Sequence, residues 1–233
     1  MVLPLAPTDR IADSVYAALR DAIFAGRLRP GARLSVPALA GQFGVSRSPV
    51  REAVLRLTQE RLAHEEPRRG AVVASVNVAE LARLYEVREV LEGLAARLAV
   101  QNRGRRLVDE LTSVLAAHAE AIADLPPGPH PDTAGGPAWA ALDAHMSADM
   151  RFHGLIREAS ANPELIGMLE AIQTRVRLAM VTTSVTAGPH LAVADHRAIL
   201  AAISAADPDL AERRAREHIT RLRQNLLDVR GEH

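Results

Sequence analysis

From Asn77 to the C-terminus the apolar residues of this chain recur at helical spacing almost without interruption, and little else can be built from such a pattern. Leu81, Leu84, Val87, Leu91, Leu94 and Leu98 follow an Asn77-x-x-Glu80 capping pattern, and further helices are predicted over 105–123, 138–160, 163–185, 190–206 and 208–230. The breaks between them are chemically explicit. Asn162-Pro163-Glu164 and Asp207-Pro208-Asp209 each place a capping side chain before a proline, whose missing N–H costs nothing at the first helical position. Gly188-Pro189 separates two more helices. Short links between six helices predict a bundle of antiparallel neighbours. One link differs: residues 124–137 hold five Pro and three Gly in 14 residues, a composition that predicts a mobile loop.

Composition agrees. Of the 233 residues 48% are hydrophobic but only 3% aromatic, with 43 Ala, which favours helices over sheets and provides for a packed core. There is no Cys, so disulfide scaffolds, thiolate zinc sites, thiol catalysis and iron–sulfur clusters are excluded. The apolar stretch Val2 to Ala6 is too short for a signal peptide, and no run approaches membrane-spanning length, so a cytoplasmic protein without membrane partners is expected.

The first 76 residues read differently. Ile11, Val15, Leu19 and Ile23 predict a helix opening after Thr8-Asp9 and closing at Gly26. Ser35 is placed to cap a short second helix holding Leu39, Ala40 and Phe43 and ending at Gly44. A third starts after Ser46 and buries Val50, Ala53, Val54 and Leu57. Leu62 to Glu65 and Ala71 to Val73 then flank Pro67-Arg68-Arg69-Gly70, short enough for a hairpin. Helix, glycine turn, helix and hairpin in that order predict a winged helix-turn-helix. Arg47 and Arg51 lie off the apolar stripe at the start of the third helix, where an arginine can form two hydrogen bonds to guanine in a major groove. Ser46 and Ser48, with the free N–H groups of the helix start, suit phosphate oxygens. Arg68 and Arg69 at the hairpin tip suit an adjacent minor groove, with Gly70 permitting close approach.

The stretch Gly44-Val45-Ser46-Arg47-Ser48-Pro49-Val50-Arg51-Glu52-Ala53-Val54 resembles the signature of the GntR family of bacterial transcription regulators. Gly26-Arg27-Leu28-Arg29-Pro30-Gly31 and Arg68-Arg69-Gly70 lie where that family has its loop and wing, so the resemblance covers residues 8–76. It implies that Arg47, Arg51, Arg69 and Gly70 contact DNA. Pro37 stands where many members carry an arginine, so the operator sequence does not transfer in detail.

A second constellation lies in the helical part. Asp149 and His153 are four residues apart and share a helix face, while His196 and His218 fall on the last two helices. Converging in a bundle, three imidazoles and a carboxylate suit a divalent ion: zinc first, with nickel, manganese or iron as alternatives. Such a site has net charge +1 and open positions for an anionic ligand. Spacing alone leaves His145, four residues before Asp149, as a competing ligand. Tyr85-Glu86-Val87-Arg88 with Leu91-Glu92, Asp149-Met150-Arg151-Phe152-His153, Ala161-Asn162-Pro163, Asp195-His196-Arg197-Ala198-Ile199 and His218-Ile219 resemble the FCD domain, the effector-binding module of the FadR subfamily. That resemblance runs through residue 230. It implies the ligand set Asp149, His153, His196 and His218, and it implies that Arg88 faces the effector cavity, although Arg88 can also pair with Glu92 on the surface of its own helix.

The whole is therefore expected to be mainly α: a winged helix-turn-helix over 8–76, then an all-helical, FCD-like, metal- and effector-binding, dimerising domain over 77–230. Its partners would be a double-stranded operator of two-fold related half-sites, a small carboxylate and a second copy of the chain. A repressor that is nucleoid-associated when bound to DNA is the leading function. Two rivals are a metal-dependent enzyme with a DNA-binding targeting module and a DNA-binding regulator whose metal is purely structural. The formal net charge of zero does not oppose DNA binding. Residues 1–75 hold 11 Arg against 7 acids and the rest 17 against 21, so +4 and −4 cancel. All 28 basic residues are Arg.

Overall fold

A computed structural model describes residues 7–102, 104–124, 137–183 and 189–231. The proline- and glycine-rich loop expected over 124–137 falls outside the described residues except at its two ends. The element order is α1 (Pro7–Phe24), α2 (Val36–Phe43), α3 (Arg47–Gln59), β1 (Ala63–Glu66), β2 (Gly70–Val73), α4 (Val78–Gln101), α5 (Arg105–Ala121), α6 (Pro137–Ala159), α7 (Pro163–Thr183), α8 (Pro189–Ser204) and α9 (Pro208–Gly231). Mainly helical architecture, with a two-stranded wing followed by an all-helical bundle, is what the patterning required. No helix among the described residues is long and apolar enough to cross a membrane.

Two compact units result: the residues up to Asn77 together with Gln173–Thr183, and Val78–Ile172 together with the residues after Thr183. In the first, α1 packs on α3 and α2 on α3, burying Val15, Leu19, Ile23, Leu39, Ala40, Val50, Ala53, Val54 and Leu57. Two expected core residues fall outside it. Ile11 is 40% exposed and Ala12 is buried in its stead, while Phe43, at the end of its helix, is 38% exposed. The helix also opens at Pro7, before Thr8-Asp9, since proline is tolerated in a first turn. Gly44 closes α2 at φ 66°, a left-handed cap that only glycine adopts without strain. Strands β1 and β2 pair antiparallel with Glu66 opposite Gly70, leaving Pro67–Arg69 as the tip.

In the second unit the caps stand where the sequence puts them. Asn162 Oδ1 accepts the Leu165 N–H at 3.2 Å and Asp207 Oδ1 accepts that of Leu210 at 2.9 Å. Each of these junctions turns through a left-handed alanine, Ala161 at φ 52° and Ala206 at φ 59°. Helix α4 packs along α9, and Gly93 permits their approach: a Cβ there would meet the Arg216 side chain at 2.6 Å.

The apolar face assigned to α4 is corrected by the structure. Leu81 and Leu84 are buried, but Val87 and Leu94 are 52% and 38% exposed, and the inward face continues through Tyr85, Arg88, Glu92, Ala95, Ala96 and Ala99. A stripe of leucines predicted one face, and a buried ion pair took the neighbouring one. The reason lies on α6, which supplies the partners that make burial of Arg88 and Glu92 tolerable.

Candidate metal centre and nucleic-acid interface

Helix α6 carries a run of polar residues through the bundle interior: His145, Asp149, His153 and Arg157, each four residues from the last. A helix turns about 100° per residue, so each step advances the polar stripe by about 40°. The stripe thus winds from α5 at one end toward α4 at the other. His145 meets His118 of α5, their ring nitrogens 2.5 Å apart. Arg157 lies 3.8 Å from Glu92 of α4.

Between these ends the four expected ligands converge. One ligand atom from each of Asp149, His153, His196 and His218 falls within a span of 4.8 Å. His153 Nε2 lies 3.3 Å from both His196 Nε2 and His218 Nε2, and Asp149 Oδ1 lies 3.5 Å from His196 Nε2. All three imidazoles are at most 1% exposed.

The far side of two of these rings is fixed by carboxylates. His153 Nδ1 is 3.2 Å from Glu92 Oε2, and His218 Nδ1 is 3.1 Å from Asp195 Oδ2. Burial pushes the Glu92 carboxyl up, but His153, Arg88 and Arg157 together outweigh it and hold it at about 2. Burial likewise opposes ionisation of Asp195, and hydrogen bonds from His218 and Arg221 reverse the sign, leaving it below the usual range. Ionised carboxylates only accept, so each Nδ1 carries a proton, and in the neutral ring Nε2 presents a lone pair. With both rings neutral, His153 and His218 aim bare nitrogens at one another across 3.3 Å, an arrangement that a cation between them relieves. A tetrahedral zinc ion with bonds of about 2.0–2.1 Å holds its ligand atoms about 3.3–3.4 Å apart. The donor set fits a divalent metal, and the carboxylate–histidine pairs are those that orient metal ligands.

Protonation of His196 and His218 is disfavoured. Burial lowers His196 well below its ordinary value, with His218 adding to the effect, and burial lowers His218 although Asp195 pulls the other way. Asp149, which burial would raise, is held low by His153, His196 and Arg88. His196 is oriented by stacking, its ring 4.2 Å from that of Phe152 at 13°.

Of the residues singled out from sequence, His145 is not in this set; it pairs with His118 instead. Arg88 does pair with Glu92, its Nε donating to Oε1 at 3.2 Å, but in the interior and not on a helix surface, being 1% exposed. Glu92 as the orienter of His153, Asp195 as that of His218, and Arg157 were not recognised from sequence. The signal was present in the four-residue spacing along α6 and in the charged residues one position before one histidine of the cluster and four after another.

In the first unit Arg47 and Arg51 are exposed at the start of α3, as are Ser46 and Ser48. Ser46 occupies the N-cap without making a capping hydrogen bond, and Ser35 does the same on α2. Arg69 is engaged at the wing: its Nη1 donates to Glu66 at 2.6 Å and its Nη2 to the Gly31 carbonyl at 3.1 Å. Beside it Arg68 is exposed with a left-handed backbone, φ 67°.

Comparison with known proteins resolves what these two surfaces belong to. The model of the bacterial regulatory proteins of the gntR family matches residues 11–73, and that of the FCD domain matches residues 83–221. The chain belongs to the GntR family, in its FCD class. This GntR regulator is 26% identical over 231 residues to the HTH-type transcriptional repressor RspR of Escherichia coli (strain K12), spanning 98% of this chain and 94% of that one. It is 28% identical over 194 residues to a probable D-xylose utilization operon transcriptional repressor of Paenarthrobacter nicotinovorans, spanning 83% and 79%. Among solved structures, E. coli McbR/YncC superposes with a TM-score of 0.72 at 25% identity, over 100% of this chain and 99% of the other. The regulator is a DNA-binding transcription factor and not an enzyme, which removes the metal-dependent enzyme from consideration.

Proposed function

We propose that this GntR regulator is a homodimeric repressor whose hold on a two-fold operator is released by a small organic acid bound at a divalent metal in the FCD bundle, zinc first among the candidates. The observation that carries this reading is the convergence of three buried imidazole nitrogens and one carboxylate, with two of the rings anchored by carboxylates on their far sides. Asp149, His153, His196 and His218 would hold the ion, which when bound supplies a Lewis-acidic position that a carboxylate can occupy. A purely structural metal would need no unpartnered donors around it, yet Arg88 Nη2 is buried without a partner.

DNA is read by the first unit. Arg47 and Arg51 face the major groove, Ser46 and Ser48 with the α3 N-terminus hold phosphates, and Arg69 with Gly70 reaches the flanking minor groove. The Arg69–Glu66 pair is exposed and of little net worth, so a phosphate displaces Glu66 at small cost. With only +4 on the head, a single copy binds weakly and half-site pairing supplies the affinity. The exposed stripe Val87, Val90 and Leu94 on α4 gives a second copy an apolar surface to cover. The protein acts in the cytoplasm, associated with the nucleoid when bound to DNA. Release follows if the acid binds best to a head arrangement that DNA disfavours.

The reading is tested by operator titration of zinc-loaded protein. Arg51→Ala should weaken specific binding by about 100- to 10,000-fold, because the dimer loses one bidentate base contact in each of two half-sites, with the fold and the dimer unchanged. Undiminished specific binding refutes the recognition surface. A screen of small carboxylates in which none shifts operator affinity refutes the effector role.

A further inference from the structure

Glu92 Oε1 is approached by two buried guanidiniums. Arg88 Nε donates to it at 3.2 Å, and Arg157 Nη1 lies 3.8 Å away, within ion-pair range but beyond a hydrogen bond. Arg88 is 1% and Arg157 7% exposed, and each carries one buried N–H group, Nη2 of Arg88 and Nη1 of Arg157, with no acceptor. Charge neutralisation of Glu92 does not require the second guanidinium, because Arg88 and His153 already bond that carboxylate. Burial drives Arg157 below its ordinary range, Glu92 opposes this, and Arg88 adds to it, so the protein holds two like charges close together at a cost.

The donor count points the same way. Glu92 Oε1 takes the Arg88 Nε–H and Arg157 Nη1 stays 3.8 Å off, so neither Arg88 Nη2 nor Arg157 Nη1 has an acceptor. Buried donors without acceptors call for an anion. A carboxylate held at the metal leaves them unmet.

We infer that Arg157 and Arg88 form a second carboxylate subsite beside the metal centre, and that the effector is a dianion, a short dicarboxylate with one carboxylate toward the ligand cluster and the other on the two guanidiniums. This rests on the effector reading proposed above and adds to it the charge of the ligand and the residue that selects for it. Arg157 stands two helical turns from Asp149 and one from His153, on the same helix, so the spacing of the two subsites is set by rigid backbone.

The test is calorimetric and thermal-shift titration of zinc-loaded protein with matched acids: malonate against propionate, succinate against butyrate, glutarate against valerate. At least one dicarboxylate should bind about 10- to 100-fold tighter than its monocarboxylate partner, the yield of a charge-assisted bidentate contact. Arg157→Met should remove that preference while leaving zinc content and monocarboxylate binding unchanged, and Arg157→Lys should restore part of it. Equal binding of the paired acids to the wild type, or a preference that survives Arg157→Met, overturns the second subsite and leaves the metal-bound effector standing. Failure of every acid, of either charge, to bind the zinc-loaded wild type overturns both. Zinc lost from Arg157→Met but retained in Arg157→Lys assigns the arginine to the metal centre and overturns its role in ligand selection.

Discussion

Asp195 touches no expected metal-bound atom, yet its replacement should weaken the metal. Its carboxylate lies behind His218, 3.1 Å from Nδ1, and is gripped by Arg221 through Nε at 3.0 Å and through Nη2. In Asp195→Asn an amide oxygen still accepts the His218 proton, but the amide N–H2 then faces the Arg221 guanidinium. Arg221 is 36% exposed and can turn to water, so the His218 bond persists as a neutral one. A charge-assisted hydrogen bond is worth roughly twice a neutral one, which makes the loss about 1.4 kcal/mol, or about tenfold in zinc affinity. Asp195→Ala removes the acceptor altogether and frees His218 to carry its proton on Nε2, where it blocks ligation. The loss should then approach 100-fold, about 2.7 kcal/mol, the upper range for removing a ligand's orienting partner. Competition against a chromogenic chelator at neutral pH measures both, with circular dichroism reporting the fold. Zinc binding by Asp195→Ala as tight as that of the wild type would refute the argument that the far-side carboxylates set the tautomers. Arg221→Ala offers an internal gradation, since it leaves the His218 bond in place and should cost less than Asp195→Asn.

Other expectations can be checked alongside. His196→Ala should remove the bound metal and the response to carboxylates while operator binding stays measurable, and unchanged zinc in elemental analysis would disprove the ligand set. Metal-free protein should lose stability as pH falls from 6.5 toward about 4: burial lowers His118 from 6.5 to about 4, so the unfolded chain takes up the proton first. The stabilisation is complete above 6.5 and lost through that window, and a urea midpoint flat across it would contradict the burial of the His118–His145 pair. Ala206→Gly should raise stability by about 0.5–1 kcal/mol, because a left-handed alanine costs about 1–2 kcal/mol and glycine returns part of the gain in unfolded-state entropy. No increase in the urea midpoint would indicate that the α8–α9 junction relaxes away from φ 59°.

Local signals made much of this molecule legible in its sequence. Proline after asparagine or aspartate suits a helix start, because the Asx side chain can cap and the N–H that proline lacks is not needed, and Asn162 and Asp207 cap theirs as read. Gly44 between two short apolar helices closes a turn in any context, and a hairpin of four-residue strands declares itself through Pro67 and Gly70. Asp149 and His153 share a face by helical geometry alone, whereas the choice of His196 and His218 over His145 as their companions came from the resemblance to the FCD domain, and these four side chains converge in the bundle. What the sequence could not decide was which face of a long helix turns inward. On α4 the leucine stripe and the Arg88–Glu92 face lie side by side, and propensity ranks the leucines first. Burying a charged pair costs several kcal/mol per ion unless partners from other elements meet it, and those partners, His153 and Arg157, stand more than 60 residues away in the chain. The same holds for His145, which spacing offered as a ligand and His118 on α5 claimed. Caps and turns are settled by neighbours in sequence, so the chain alone determined them; the fate of buried charge is settled by groups that only the packed bundle brings together.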